Sequence, residues 1–202
     1  MEVSKENEQK DNCLDEPIKS SMSLFSNSFL RACKKFSDLA QMSTTQEDTV
    51  VYNLSSIINA VCFIEAYLNE QISIGVICYS KDDPTGKPWF DLQTEKKQLK
   101  IQEKWDLVAA IKDTEKWNNA VEPFQSLETI ISLRNELVHY KGDFAEKDQA
   151  PTKKIHALMN KLDIVSQAEW TEDDCSTWIQ DLLNSKALTS WTYEKLMAFK
   201  KV

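Results

Sequence analysis

Apolar residues recur at spacings of three and four along most of this chain, the period of a helix that buries one face. In "SLFSNSFLRACKKFSDLAQM" the residues Leu24, Phe25, Phe29, Ala32, Cys33, Phe36 and Leu39 make such a stripe. "TTQEDTVVYNLSSIINAVCFIEAYLNEQIS" is longer and more apolar and predicts the central helix. Thr44 or Thr45 is its N-cap, and Gln46, Glu47 and Asp48 fill its first turn, where negative charge suits the helix dipole. "YSKDDPTGKPW" carries the densest Pro, Gly and Asp signals and reads as a loop. "LQTEKKQLKIQEKWDLVAAI" predicts a third helix packing through Leu99, Trp105, Leu107 and Val108, and "KDTEKWNN" connects it to a fourth. The fourth starts near Pro123, tolerated in a first turn, and runs through "FQSLETIISLRNELVHYK" to Gly142 as the cap. After the loop "GDFAEKDQAP", two or three shorter helices are expected in "TKKIHALMNKLDIVSQ", "TEDDCSTWIQDLLNS", with a Thr171-x-x-Asp174 start, and "LTSWTYEKLMAFKKV".

Composition sharpens this picture to an all-α fold. Only 3 Gly and 5 Pro occur in 202 residues, and the length allows one domain with a sizeable core. Residues 1–20 are too polar to offset their ordering entropy and are expected to be disordered or loosely attached, leaving 21–202 as a single helical domain. The odd set of five cysteines has no C-x-x-C spacing and reads as reduced thiols. The polar N-terminus lacks an apolar core of the signal-peptide kind, and no run approaches 18 uninterrupted apolar residues, so a cytoplasmic protein without a membrane segment is expected. A net charge of −8 argues against a broad nucleic-acid-coating surface while leaving a local basic cleft open. The lysines of "EKKQLKIQEK" and Lys153-Lys154 have acids beside them and read as solvated helix faces.

Two charges break the pattern. The fourth helix carries an apolar stripe of Leu127, Ile130, Ile131, Leu133, Leu137 and Val138, and Arg134 falls in its middle. The second helix carries Val50, Val51, Leu54, Ile57, Ile58, Val61, Cys62, Leu68 and Ile72, with Glu65 at the centre and Asn69 one turn on. Unpaired burial of such a charge would cost several kcal/mol, so a carboxylate partner or an open cleft is expected for Arg134, and a Glu65–Arg134 ion pair inside the bundle is the pairing proposed. His139 lies about 140° round the helix from Arg134 but about 40° from Asn135, which predicts an accessible imidazole over Asn135. The plain alternative is a helix end whose His and Lys offset the dipole and whose Gly142 caps it. The chain's other histidine, His156, has no polar partner in view and reads as ordinary surface.

Arg134-Asn135-x-x-x-His139 closing a helix, after an earlier helix with "FIEAYLNE", resembles the HEPN superfamily, whose signature is R-x4–6-H with a polar residue, often Asn, after the Arg. The resemblance covers roughly residues 45–185. It implies an up-and-down helical bundle of HEPN type, here with extra flanking helices, that dimerises and brings two motifs to one cleft. In many members it also implies metal-independent endoribonuclease activity, as in toxins of toxin–antitoxin modules and phage-defence nucleases; some members are inactive dimerisation modules. Carried onto this chain, Arg134 and His139 are catalytic, and Asn135, Glu65, Asn69 and Tyr140 support them. No cofactor or metal is implied. The partners are an RNA substrate, a second copy of the chain and an antitoxin or regulatory protein. The toxins of HEPN–nucleotidyltransferase modules carry R-x4-H-x-Y with a modifiable tyrosine; here Tyr140 follows His139 directly and Lys141 stands in that place, so Tyr140 is read as a packing or base-stacking residue.

The residue types suit RNA cleavage in their own right. Attack by the 2′-OH needs a proton acceptor, a donor to the leaving 5′-oxygen, and positive charge on the phosphorane, and imidazole titrates near neutrality. One histidine cannot occupy both sides of a phosphate, whereas a two-fold dimer supplies two. An inactive interaction module and an unrelated helical adaptor remain as alternatives.

Overall fold

A computed structural model of the chain describes residues 23–139, 151–164 and 177–202. Eight helices, and no strand, occur among the described residues: α1 Ser26–Met42, α2 Gln46–Cys78, α3 Lys87–Glu95, α4 Ile101–Lys112, α5 Phe124–Val138, α6 Lys153–Lys161, α7 Trp178–Asn184 and α8 Lys186–Phe199. The expected all-α class holds. The readings made for residues 1–20, for Tyr140 and Gly142, and for the Thr171 helix start fall outside the described residues.

α2 is the axis of the molecule: it touches α1, α3, α4, α5, α7 and α8. Its start is the one expected, with the Thr45 hydroxyl accepting from the Asp48 amide at 3.1 Å. By length and composition it could cross a membrane, yet Ile57, Ala60, Phe63, Ile64, Leu68 and Ile72 are fully buried in the bundle. Around them Trp105 meets Phe124 and Phe199 at centroid distances of 5.2 and 5.1 Å, and Tyr67 meets Phe199 edge-on at 5.6 Å. Such tilted and edge-on ring pairs add to the area they bury.

The buried face of α2 is centred on Ala60 and Ile64, roughly 110° round the helix from Glu65. It differs from the stripe read in the sequence because α2 is apolar on most sides and because polar residues serve inside it. Asn53, fully buried, donates from Nδ2 to the carbonyls of Leu183 at 2.7 Å and Ser185 at 3.0 Å. It thereby satisfies acceptors at the C-terminus of α7 that have no intrahelical partner. Val51 and Ile58, expected inside, are exposed.

The single third helix expected over 92–111 is two helices, with a break at 96–100. α3 starts at Lys87, inside the segment read as a loop, with Pro88 in its first turn, where a missing N–H costs nothing. The break lets α3 fold back on the end of α2, where Trp89 and Leu92 join Ile72 and Val108 in a second, small core. Gly75 makes room for this: a Cβ there would lie 2.2 Å from the Trp89 ring. α4 crosses α2, since Lys104 and Lys112, eight residues apart, reach Asn69 and Gln71 on opposite sides of it.

α1 is held at its start by another helix. Glu70 of α2 accepts from the amides of Phe25 at 2.6 Å and Ser26 at 2.8 Å and from the Ser26 hydroxyl. A carboxylate on free N-terminal amides satisfies donors and matches the helix dipole together. α7 opens on a reciprocal box between Thr177 and Gln180.

Candidate functional site

The rotation of α5 is set by Leu127, Ile130 and Leu133, all fully buried, with Ile131 and Leu137 half-buried beside them. That rotation places Arg134 at the margin of the buried face, half-buried, and leaves Asn135 and His139 exposed. α5 ends at the histidine: the His139 amide closes on the Asn135 carbonyl at 3.0 Å, and φ −99°, ψ 14° take the backbone out of the helix. Among the described residues neither the Arg134 guanidinium nor the His139 ring makes an ion pair or hydrogen bond.

The expected Glu65–Arg134 ion pair is not formed. Glu65 is exposed, and it and Arg134 both act on the Cys62 thiol instead. The half-buried Cys62 thiol is pushed up from its ordinary range by burial and by Glu65, while Arg134 pulls it down. The reason is the rotation of α2 described above: the residue at the centre of the wrong stripe becomes a residue at the edge of the core. Arg134 is left half-buried, with no ion pair among the described residues.

Asn69 is half-buried and is engaged by Lys104, whose Nζ donates to its Oδ1 at 3.2 Å. Lys104 itself is only 9% exposed. Sequence reasoning treated it as one of a run of solvated lysines. The signal lay in the spacing: Ile101, Lys104, Trp105 and Val108 share one face of α4, and all four are buried. His156 is exposed, with Asn160 at 3.3 Å from its Nδ1, as an ordinary surface histidine would be.

Arg134 and His139, five residues apart on one helix, rise about 7.5 Å and diverge by about 140°. One chain therefore presents the two groups in different directions rather than on one substrate atom. A cavity of about 310 Å3 lies elsewhere, against the first half of α5, lined among others by Gln125, Glu128, Thr129, Lys154, Leu158 and Trp191. None of the motif residues lines it, and two of its three lysines are already paired, Lys154 with Glu128 at 2.8 Å and Lys161 with Glu122 at 3.2 Å. Among the described residues no three His, Cys, Asp or Glu side chains gather as a metal ion would require. No family model, curated protein or solved structure matches the chain, so its function is read from the residues themselves.

Proposed function

We propose that this chain is a metal-independent endoribonuclease of HEPN type, a toxin or phage-defence effector that works in the cytoplasm as a homodimer with a composite Arg/His site. The observation that carries this reading is Arg134: half-buried, without a partner among the described residues, and one and a half turns from an exposed His139. A purely structural arginine at the margin of a core would be tied to a carboxylate, and this chain has 32 acidic residues to supply one.

In the reaction the 2′-oxygen of RNA attacks the adjacent phosphorus and the bond to the 5′-oxygen breaks, leaving a 2′,3′-cyclic phosphate and a 5′-hydroxyl. His139 of one copy takes the 2′-OH proton, and His139 of the second copy gives a proton to the departing 5′-oxygen. Arg134 faces the non-bridging oxygens, where negative charge grows. The second copy is needed because Arg134 and His139 of one chain diverge.

The surface beside Arg134 suits a second copy. Val51 and Ile58, on the side of α2 that carries Glu65, and Val138, beside Arg134 on the α5 wheel, are 54%, 45% and 55% exposed, and Glu65 and Arg134 make no ion pair among the described residues. Across a two-fold axis each patch meets its own copy, so opposite charges on one patch are self-complementary.

The deciding experiment incubates purified protein with total RNA in EDTA, wild type beside His139→Ala. Cleavage by the wild type alone is the expected outcome. The exposed apolar strip and the acidic net charge favour a second reading, an inactive interaction module of the same type; dimerisation without RNA cleavage selects it.

A further inference from the structure

The four ion pairs among the described residues join lysines to acids at the surface or its edge. Lys104 and Lys96 are different. Lys104, nine-tenths buried, has the neutral Asn69 Oδ1 as its partner at 3.2 Å. Lys96, half-buried where α3 ends, donates to Gln93 Oε1 at 2.8 Å and Ser73 Oγ at 3.4 Å, both neutral. The two ammonium groups also act on each other. Burial first, then Lys104 and Lys97, hold the Lys96 ammonium below the usual lysine range. Among the described residues no carboxylate pairs with either ammonium, and a half-buried cation beside a second cation is stabilised by a neighbouring anion.

These lysines are also in line with the motif. Cys62, Glu65, Asn69 and Ser73 fall within about 80° of one another around α2. Arg134 acts on the first, Lys104 reaches the third and Lys96 the fourth, while Glu65 in the same row is exposed. Asn69 and Ser73 are one turn apart, about 6 Å along the helix, and Asn69 lies about 10 Å beyond Cys62. Cations spaced along one helix side suit a polyanion; a single carboxylate ligand would need only one of them.

We propose that Lys104 and Lys96, positioned by Asn69 and Ser73 along one side of α2, form a subsite for the phosphodiester backbone of single-stranded RNA next to the phosphate held at Arg134. The assignment of Arg134 as the reacting end rests on the ribonuclease reading; the subsite itself rests on the lysines. Lys104 is a binding residue kept at a cost in stability, and this gives the proposal a signature that a structural lysine would not have.

The test uses the full chain carrying His139→Ala, so that RNA is bound and not consumed, with a fluorescent oligouridylate about twelve nucleotides long as the probe. Lys104→Met and Lys96→Gln are each expected to weaken binding roughly five- to tenfold and to reduce the slope of log affinity against log salt by about 0.7. Lys104→Met, which keeps the apolar stem and removes the charge, is expected to melt at a higher temperature than its parent. Unchanged affinity and salt slope in both variants overturn the proposal, as does a Lys104→Met chain that binds normally and melts lower. Competition by polyglutamate as strong as by unlabelled oligouridylate also overturns it and makes the site one for acidic protein. Wild-type RNA cleavage with no effect of either lysine removes the subsite and leaves the ribonuclease reading standing. Lysine-dependent binding without cleavage by the wild type does the reverse.

Discussion

In the proposed ribonuclease, Arg134 and His139 differ in what they would do for a phosphate, and substitutions should separate them. His139→Ala removes proton transfer from an exposed side chain, so the variant should fold as the wild type and lose roughly a hundred- to ten-thousandfold in cleavage of a fluorescent RNA. Arg134→Ala should lose activity comparably through charge on the phosphorane, and Asn135→Ala should be milder because the amide contacts no reacting atom. Near wild-type turnover by His139→Ala would end the ribonuclease reading. A neighbour gives an independent check by pH. Burial raises the Glu136 carboxyl above its ordinary range, with a hydrogen bond from Thr152 opposing the rise. The folded state thus binds this proton more tightly than the unfolded one, so Glu136 costs stability once pH exceeds both values and costs nothing below the unfolded one. Glu136→Gln should therefore raise the melting temperature at pH 7, with the gain fading as pH falls through the carboxylate range; a gain equal at pH 3 and pH 7 would contradict it. Leu127, Ile130 and Leu133 on α5 were legible in the sequence as buried positions, whereas Val138, read into the same stripe, is exposed at the end of the helix. Glu65 was not legible, because a wheel drawn on α2 has more apolar sides than the bundle can bury.

At the scale of elements, the starts of α2 and α5 were readable from Thr45 and Pro123, whose chemistry is local. The division of the third helix was not. Lys96 to Lys100 are compatible with helix on propensity, and what breaks it is tertiary: α3 must turn back for Trp89 to reach the hollow at Gly75. The cap of α1 is equally invisible from its own sequence, since its acceptor, Glu70, comes from 44 residues further on. Glu70→Ala leaves two amides and a hydroxyl without an acceptor and should destabilise the bundle by about 1–2 kcal/mol, visible as a lower urea midpoint. Glu70→Gln keeps an oxygen acceptor but loses the charge and should fall between. If both variants unfold with the wild type, α1 is anchored by its apolar face alone.

For the molecule as a whole, the all-helical class followed from scarce Gly and Pro and a persistent period of three to four, but how copies assemble depends on surfaces that periodicity does not reveal. Val51 and Ile58 were expected in the core and are exposed, and Glu65 and Arg134 were expected to meet within the chain and do not. In the proposed two-fold dimer the two departures would have one cause: the apolar residues would be covered, and Glu65 of each copy would face Arg134 of the other. A guanidinium has five donors, so one edge can hold that carboxylate while another faces phosphate. Sedimentation should show a dimer for the wild type and a shift toward monomer for Arg134→Glu, which sets like charges against each other. Glu65→Arg combined with Arg134→Glu restores opposite charges across the axis and should recover the dimer while remaining inactive, since the guanidinium has moved to α2. A double variant that stays monomeric would show that the patch meets its copy in some other register. A wild-type chain that cleaves RNA as a monomer would remove the need for a second histidine and with it the shared site.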